Sequence, residues 1–489
     1  MFPGLLSAII IVPVLGALVI MLLPTEETRA PRAVAAFFSL VVLLASLYIW
    51  LEFDATRAGP QFAEQAPWIP SLGISLHFGV DGLSLPMVVL TTLLTVVAVI
   101  SSWNVSLRPK EYFALLLILE TAILGVFSSL DLVVFFLFWE LELIPMFLLI
   151  GIWGGARREY AAFKFVIYTF VGSGLMLVGI LALYFNSGIE PRTFDMLALA
   201  SARFPTGWFQ TVAFVLLFIG FAVKLPVFPF HTWLPDAHVE APTSVSVILA
   251  GVLLKMGGYG MLRVLLGFLP DATREFAFAL GVLAVINVLY GASVSMVQRD
   301  LKSMVAYSSI SHMGYVLLGL AALTSVSLNG AVLQMFSHGV ITALLFLLVG
   351  LVYEKAHTRQ IPDLGGLAAR MPVLAVAFSA AGLASLGLPG MSGFVAEFTV
   401  FVGSFQTMQT LTILAAVGIV VTAGYVLWML QRVFFGPLVA SQVAVADARG
   451  LEVVPVAALL GVVLLVGLYP SVITGVIGHG VAALPPLGR

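Results

Sequence analysis

The chain has 489 residues, of which 61% are hydrophobic and 9% are charged, and its formal net charge is −2. A soluble globular domain carries roughly 25% charged residues, so this composition excludes a water-soluble fold. The near-zero net charge offers no basic face for nucleic acid. The sequence holds no cysteine, which excludes disulfides, thiolate zinc sites and cysteine-ligated iron–sulfur clusters.

Apolar windows separated by charged or Gly/Pro-rich joints predict an all-α integral membrane protein, because about 20 apolar residues cross a bilayer as a helix. We expect about fourteen spans. They are 4–23, 33–51, 83–103, 112–129, 132–153, 161–186, 209–230, 242–266, 275–297, 303–324, 328–353, 372–403, 409–435 and 452–470. Met1 to Pro3 lack the Lys or Arg of a signal peptide, so the first window is interpreted as a helix.

The distribution of Lys and Arg predicts the orientation, because these residues accumulate on the cytoplasmic side. With the N-terminus outside, 13 of the 22 Lys and Arg residues fall in inner loops and 6, including Arg489, in outer segments. The remaining three lie inside predicted helices. We therefore expect both termini outside.

Several charged side chains lie inside the predicted spans, where each costs about 2.5–3.5 kcal/mol on insertion scales. The main candidates are Glu140, Lys224, Lys255, His312, His338 and Glu397. Glu120, Glu142 and Lys164 are lesser candidates. For each residue alone, a structural pair or a satisfied hydrogen bond is an open alternative. As a set, buried carboxylates, lysines and histidines are what a proton relay requires.

Two of these charges lie beside predicted helix breaks. Pro226 and Pro229 follow Lys224 in helix seven, and Gly387, Pro389 and Gly390 precede Glu397 in helix twelve. Proline frees backbone carbonyls near mid-membrane, and such breaks are tolerated where they line a polar cavity. Broken helices mark ion sites in transporters.

The two breaks also suggest an internal repeat, because Pro226 and Pro389 are 389 − 226 = 163 residues apart. The same offset places Glu140 opposite position 303, beside Lys302. We expect one membrane domain with N-terminal helices in 1–103, a first five-helix repeat (helices 4–8) in 112–266, an inverted second repeat (helices 9–13) in 275–435, and a last helix in 452–489. Coincidence in a Leu/Gly/Pro-rich chain is the alternative.

Other chemistry has little support in the sequence. There is no GxxxxGK[ST] loop and no GxGxxG fingerprint for nucleotides. His231 and His238 flank WLPDA in what we expect to be a short inner loop, and His357 lies in another. No clustered metal ligands surround them, so we expect no metal and no cofactor in this chain.

Five strings carry a family resemblance over nearly the whole chain. The longest, KLPVFPFHTWLPDAHVEAPTSVSVILAGVLLKMGGYG, begins at Lys224. The others are FGVDGLS, FFLFWELELIPMFLLIGIWG, RDLKSMVAYSSISHMGYV and LGLPGMSGFVAEF. Together they resemble the antiporter-like subunits of respiratory complex I, NADH-quinone oxidoreductase. Glutamate at position 397 and the short C-terminus resemble the chain-4 (M) type.

The resemblance implies roles for the candidate residues. Glu140 would be the helix-five carboxylate paired with Lys224. Lys255 and His312 would carry the proton along the midplane, with His338 beside them, and Glu397 would be the exchange residue on the outlet side.

The resemblance also implies a setting. Membrane-arm neighbours of the L and N types would flank the chain among lipids in a bacterial-type inner membrane, and NADH, FMN, iron–sulfur clusters and quinone would bind partner subunits. The D-type component of an Mrp-type cation/proton antiporter and a membrane component of a related hydrogenase remain alternatives, because their sequences share much of the signature.

Overall fold

The computed structural model describes residues 4–24, 27–57 and 59–485. Within these residues the fold is helical apart from one small antiparallel hairpin, and the expected helical membrane architecture is confirmed. Met1 to Pro3 and Arg489, which entered the sequence predictions, lie outside the described residues.

The helices follow the apolar windows and begin where the sequence supplies a start signal. Asp131 and Asp300 each accept hydrogen bonds from the first turn of the helix that follows them, which satisfies N–H groups that the helix itself cannot pair. The helices are α1 Leu5–Leu22, α2 Ala30–Glu52, α3 Leu85–Ser101, α4 Pro109–Ser128, α5 Leu132–Leu141, α6 Leu143–Trp153, α7 Arg158–Asn186, α8 Met196–Leu199, α9 Trp208–Lys224, α10 Trp233–Glu240, α11 Thr243–Ile248, α12 Leu254–Gly260, α13 Pro270–Met296, α14 Leu301–Ala321, α15 Ser325–Ala356, α16 Pro372–Ser385, α17 Ser392–Phe405, α18 Gln409–Leu430, α19 Val453–Leu468 and α20 Ser471–Ala482.

Within the described chain, eleven helical stretches are long and apolar enough to cross a membrane. One of them, Thr243–Leu266, joins α11 to α12 through the π-helical turn Leu249–Leu253 and ends in a second π-helical turn, Met261–Leu266. Shorter apolar helices cover the remaining expected spans. The chain is thus a multi-pass membrane protein, and the count of fourteen stays a prediction.

Both predicted helix breaks are present. The chain leaves helical geometry after Lys224 and resumes it at Trp233, and it leaves it again after Ser385 and resumes it at Ser392. Asn287 of α13 pairs with the backbone groups that the first break leaves without helical partners. Its amide donates to the Pro226 carbonyl at 3.1 Å and accepts from the Phe228 N–H at 2.7 Å.

One loop prediction is wrong. Residues 233–240, expected as an inner loop, form the helix α10, and His238 is fully buried within it. Its WLPDAHVE sequence is too polar and too short to give a span signal.

The polar connection between α2 and α3 holds a hairpin that the apolar pattern did not predict. Strand β1 Gln61–Ile69 pairs antiparallel with β2 Ile74–Val80, in a register that places Glu64 opposite Phe78. His77 contacts Asp195 at 2.5 Å. Burial acts to raise the pKa of Asp195, but the hydrogen bond and charge of His77, together with the hydrogen bonds from the Ala198 and Leu197 N–H groups, hold the pKa below its usual value.

Two compact units divide the chain. The first comprises Met1–Leu225, Val252–Ala277 and Gly475–Arg489. Within its described residues, α1 packs on α2 and α4, α7 packs on α9, and α12 packs on α9.

The second unit comprises Pro226–Gly251 and Phe278–Thr474. Its centre is α15, whose membrane-spanning window is entirely buried and which packs against α11, α14, α17 and α19. The boundaries predicted for the two repeats stay predictions.

Candidate functional site

Lys224 is the last residue of α9, directly before the first break, and its side chain is 1% exposed. The Leu225 N–H donates to the Phe221 carbonyl at 2.8 Å and closes the helix end. The ammonium group therefore lies at the point where the helix stops, sealed from solvent.

The partner of Lys224 is Glu142. The ammonium donates to the Glu142 carboxylate in a direct ion pair, and both side chains are buried. Glu142 lies at the kink between α5 and α6. The prediction that Glu140 pairs with Lys224 is therefore wrong for the direct contact, since residues two apart on a helix face different sides.

Glu140 lies nearby in a different environment. It is partly exposed, it interacts electrostatically with Lys224, and Ser173 is its hydrogen-bonding neighbour. Its Oε1 atom is buried and has no hydrogen-bond partner among the described residues. Two acidic residues thus act on one lysine, one in contact and one at longer range.

Aromatic rings surround the lysine. The Lys224 Nζ lies 5.5 Å from the ring centroid of Trp139 and 5.5 Å from that of Phe165. Ring faces attract a cation without supplying a proton acceptor. The ion pair therefore lies beside aromatic rings that offer no proton acceptor. Separating its two charges in this apolar environment costs free energy.

Lys255 lies in the same unit, on α12, and is fully buried. A Cβ atom built on Gly257, two residues further on, would lie 2.6 Å from both the Leu225 nitrogen and the Phe221 oxygen. Only glycine permits this approach, which sets the turn after Lys255 directly against the end of α9.

The second unit holds a different arrangement around His312 of α14. Its Nδ1 lies 2.7 Å from the Ser308 carbonyl oxygen and its Nε2 lies 2.9 Å from the Ser385 carbonyl oxygen. Ser385 ends α16, so its carbonyl is one that the second break frees. Because both acceptors are carbonyls, the doubly protonated ring satisfies both contacts, whereas a neutral ring has only one N–H to donate.

Glu397 of α17 completes this arrangement. Its Oε1 lies 3.5 Å from His312 Nε2, and the carboxyl is buried. A Cβ on Gly387, whose φ is 79°, would lie 2.9 Å from Glu397 Oε2. Glycine thus supplies both the left-handed turn and the room for the carboxyl.

His338 of α15 lies beside His312, with ring centroids 5.4 Å apart. A small cavity of about 10 Å³ lies among His312, His338 and Glu397, with the Gln334 amide and Ser385 also in its wall. That volume holds about one water molecule. The structure therefore brings His312, His338 and Glu397 together around a hydratable space.

Comparison with known proteins gives the family. The family model described as "NADH:quinone oxidoreductase/Mrp antiporter, TM" matches residues 129–422. The chain belongs to this family. It is 46% identical over 480 residues to "NAD(P)H-quinone oxidoreductase chain 4 1" of Synechococcus elongatus, covering 96% of this chain and 89% of the relative.

Two further matches agree. The chain is 44% identical to "NADH-quinone oxidoreductase subunit M" of Rhodobacter capsulatus, covering 98% of this chain and 96% of the relative. It is also similar to a chain of "Respiratory complex I from Thermus thermophilus with bound NADH", with a TM-score of 0.90, 30% identity and coverage of 99% of this chain and 100% of that one. The two sequence relatives are thus named as chain 4 and subunit M.

The lesser candidates of this chain, Glu120 and Lys164, lie in different environments. Both carboxyl oxygens of Glu120 are buried, and neither meets a hydrogen-bond partner among the described residues. The hydroxyl of Thr95, which interacts with Glu120, donates its proton to the Thr91 carbonyl at 3.0 Å. Lys164 lies over the ring of Tyr160 at 5.6 Å and is partly exposed, as expected for a lysine near a helix end.

Sequence reasoning missed a polar cluster where α10 ends and α14 begins. The Lys302 ammonium donates to the Ala241 carbonyl, and Arg359 contacts Asp300 at 2.5 Å and the Val239 carbonyl at 3.1 Å. The buried lysine at the start of RDLKSM was the available signal. No group of three or more potential metal ligands occurs in the described parts of the chain.

Proposed function

We propose that this chain is the proton-translocating, M-type subunit of the membrane arm of an NADH:quinone oxidoreductase. The observation that carries the proposal is the sealed Lys224–Glu142 ion pair at a helix break, in a chain 46% and 44% identical to chain 4 and subunit M. A buried pair of opposite charges controls whether a lysine keeps its proton.

The first step is electrostatic. While Glu142 is ionised and in contact, the Lys224 ammonium is compensated and holds its proton. When redox work in a partner subunit neutralises or displaces the carboxylate, the ammonium is left as an isolated buried charge, which is strongly disfavoured. Lys224 then releases its proton, and Glu140 modulates the step through its longer-range charge.

The proton then follows the order Lys224, Lys255, His312 and Glu397, with His338 beside His312. The second centre suits its role because His312 can hold a proton between two carbonyls and pass it to Glu397, either directly or through a water in the adjoining cavity. This chain transfers no electrons, and NADH, FMN, iron–sulfur clusters and quinone belong to partner subunits.

The proposal includes the topology and the neighbours. Fourteen spans with both termini outside and two inverted five-helix repeats make the two broken helices equivalent. L-type and N-type antiporter-like subunits flank the chain in a bacterial-type inner membrane.

The test uses the intact complex that contains this chain, reconstituted in sealed vesicles. NADH and a quinone are added, and acidification of the lumen is followed with a pH-sensitive dye in sodium-free and sodium-containing buffer. We expect acidification that requires both substrates and does not require sodium. Lumen acidification that persists without quinone reduction would contradict the proposal.

An Mrp-type antiporter is the second candidate, because the family description covers both systems. It predicts that an imposed sodium gradient moves protons without NADH. The names of the relatives favour the oxidoreductase, and the composition of the purified complex separates the two: redox subunits support the first candidate and small antiporter subunits the second.

A further inference from the structure

Two helices of the second unit present polar side chains along one face each. On α14, Ser308, His312 and Tyr315 are spaced i, i+4 and i+7, and on α18, Thr422 and Tyr425 follow Gly418 in the same spacing. Residues at this spacing share a helix face, and all six are buried. We call this set the α14–α18 seam.

The two faces meet. A Cβ atom built on Gly418 would lie 2.9 Å from the Tyr315 hydroxyl oxygen, so the tyrosine points at the α18 backbone. The Tyr425 hydroxyl in turn interacts with Thr422 on its own helix and with Ser308 across the seam.

The seam is polar but incompletely hydrogen-bonded. The hydroxyl oxygens of Tyr315, Tyr425 and Thr422 are all buried, and none has a properly oriented hydrogen-bond partner in the part of the chain that the structure describes. Buried hydroxyls are ordinarily satisfied by protein or by ordered water. Three adjacent exceptions indicate that water completes the seam.

The seam connects two places. At one end, Glu397 interacts electrostatically with both Tyr315 and Tyr425, and the His312 and Tyr315 rings lie 6.1 Å apart. At the other end, Tyr425 lines a second small cavity of about 10 Å³ together with Ser295, Gln298 and Arg432. These last residues lie at the C-terminal ends of α13 and α18, beside the connection that carries Arg299.

We propose that the α14–α18 seam is a hydrated proton branch that loads Glu397 from the side of the molecule that carries Arg299 and Arg432. The inference rests on the proposed function. It assigns Tyr425 and Thr422 as proton-conducting residues, although neither belongs to the proposed proton path from Lys224 to Glu397.

The transfer balances at each hydroxyl. A water in the Arg432 cavity takes up a proton from the aqueous phase and, as hydronium, gives one to the Tyr425 oxygen, returning to neutral water, while the Tyr425 O–H proton passes to the next water or hydroxyl. The last donor protonates the Glu397 carboxylate. Each hydroxyl ends neutral, one proton has moved, and reorientation of the O–H groups restores the chain.

A packing role and a proton-conducting role predict different results for hydroxyl removal. If the seam were only structural, Tyr425→Phe and Thr422→Val would be neutral or stabilising, because they remove unsatisfied polar atoms and keep the shape. If the seam conducts protons, the same changes slow pumping even though they leave the stability of the fold unchanged or raise it. Thr422→Ser keeps a hydroxyl and restores conduction.

The experiment uses the intact complex in sealed vesicles and compares Tyr425→Phe, Thr422→Val and Thr422→Ser with Glu397→Gln. The controls are Thr412→Val, on the same helix with a hydroxyl that donates to the Met408 carbonyl at 2.8 Å, and Tyr469→Phe, whose side chain is exposed. NADH-driven acidification is measured in H₂O and D₂O, and the amount of assembled complex is measured by native electrophoresis.

We expect Tyr425→Phe and Thr422→Val to lower pumping by about threefold or more, with a larger solvent isotope effect and normal assembly. This is less than the roughly 10²–10⁴-fold that a positioned proton-transfer group contributes, because the relay from Lys224 also reaches Glu397. Thr422→Ser and both controls should pump like the wild type. If Glu397→Gln is impaired while Tyr425→Phe and Thr422→Val pump normally, the branch is overturned and the proposed function stands. If Glu397→Gln also pumps normally, the proposed function fails with it. Should Tyr425→Phe fail to assemble, the Thr422→Val and Thr422→Ser pair decides.

Discussion

The two charged centres are built at similar helix breaks but from different chemistry. In the first unit, Lys224 and Glu142 form a direct, fully buried ion pair between aromatic rings. In the second, His312 and Glu397 stand 3.5 Å apart beside a small cavity. The first arrangement suits a switch between paired and unpaired charges, and the second suits proton exchange with water.

The breaks themselves show the same contrast. Asn287, an amide that does not titrate, satisfies the first break, whereas His312, a ring that does titrate, contacts the freed carbonyl of the second. The geometry of the second break can therefore depend on proton occupancy, while that of the first does not. Four predictions test this difference, from the largest expected effect to the smallest.

Lys224→Met should have the largest effect. It leaves the Glu142 carboxylate buried without a counter-charge, and breaking a buried pair in this way costs about 3–5 kcal/mol. We expect quinone-coupled pumping to fall at least about tenfold in reconstituted vesicles. Lys164→Met is the matched control, because Lys164 is also a lysine of the first unit but is partly exposed; equal losses in the two variants would refute a specific role for Lys224.

Glu142→Gln and Glu140→Gln compare the two neighbouring carboxylates. The amide at 142 keeps the shape of the contact but removes the charge that touches Lys224, so this variant should pump more slowly than the variant at 140. The readout is the initial rate of lumen acidification per unit of assembled complex. A larger loss at 140 would favour the pairing that the family resemblance implies over the one in the structure.

Glu397→Gln should have a smaller effect on pumping than Lys224→Met or Glu142→Gln. Water in the adjoining cavity gives His312 an alternative hydrogen-bond partner. Glu397→Lys should retain more pumping than Glu397→Gln, because a lysine can also exchange protons. Both rates are measured across pH in vesicles. Abolished pumping in Glu397→Lys with near-normal pumping in Glu397→Gln would contradict an exchange role.

Asn287→Leu tests the first break, whose backbone groups pair with a side chain that does not titrate. It should have the smallest effect on pumping. Removing the amide leaves the Pro226 carbonyl and the Phe228 N–H without this partner, at a cost of about 1–3 kcal/mol for each buried group left unsatisfied. We expect lower thermal stability of the complex and a pumping rate whose pH dependence is unchanged. His312→Asn is the counterpart at the second break, and there the pH dependence should change.

The sequence predicted the helices well because hydropathy and breaker residues are local signals. Both breaks, at Lys224 and before Glu397, were predicted from proline and glycine and are present in the structure. The hairpin at 61–80 was missed because its exposed strand alternates weakly and lies in a polar connection.

The partner of Lys224 could not be predicted in the same way. Glu140 and Glu142 are two residues apart, and the kink at Glu142 decides which of them turns toward α9. The contact between His312 and the Ser385 carbonyl could not be predicted either. Every residue carries a backbone carbonyl, so the identity of a residue does not show that its carbonyl is the acceptor. Tertiary geometry settles both contacts.

The π-helical turns at Leu249–Leu253 and Met261–Leu266 enclose the stretch of helix that carries Lys255. A π turn holds one residue more than an α turn, and such turns occur often at functional sites. Each one shifts every later side chain by about 100° around the axis. In evolutionary terms, a one-residue insertion of this kind re-aims a lysine without rebuilding the helix, and a second one brings the remaining residues into a new register. A single deletion in the first turn would therefore turn Lys255 away from its present direction, together with the buried side chains that follow it.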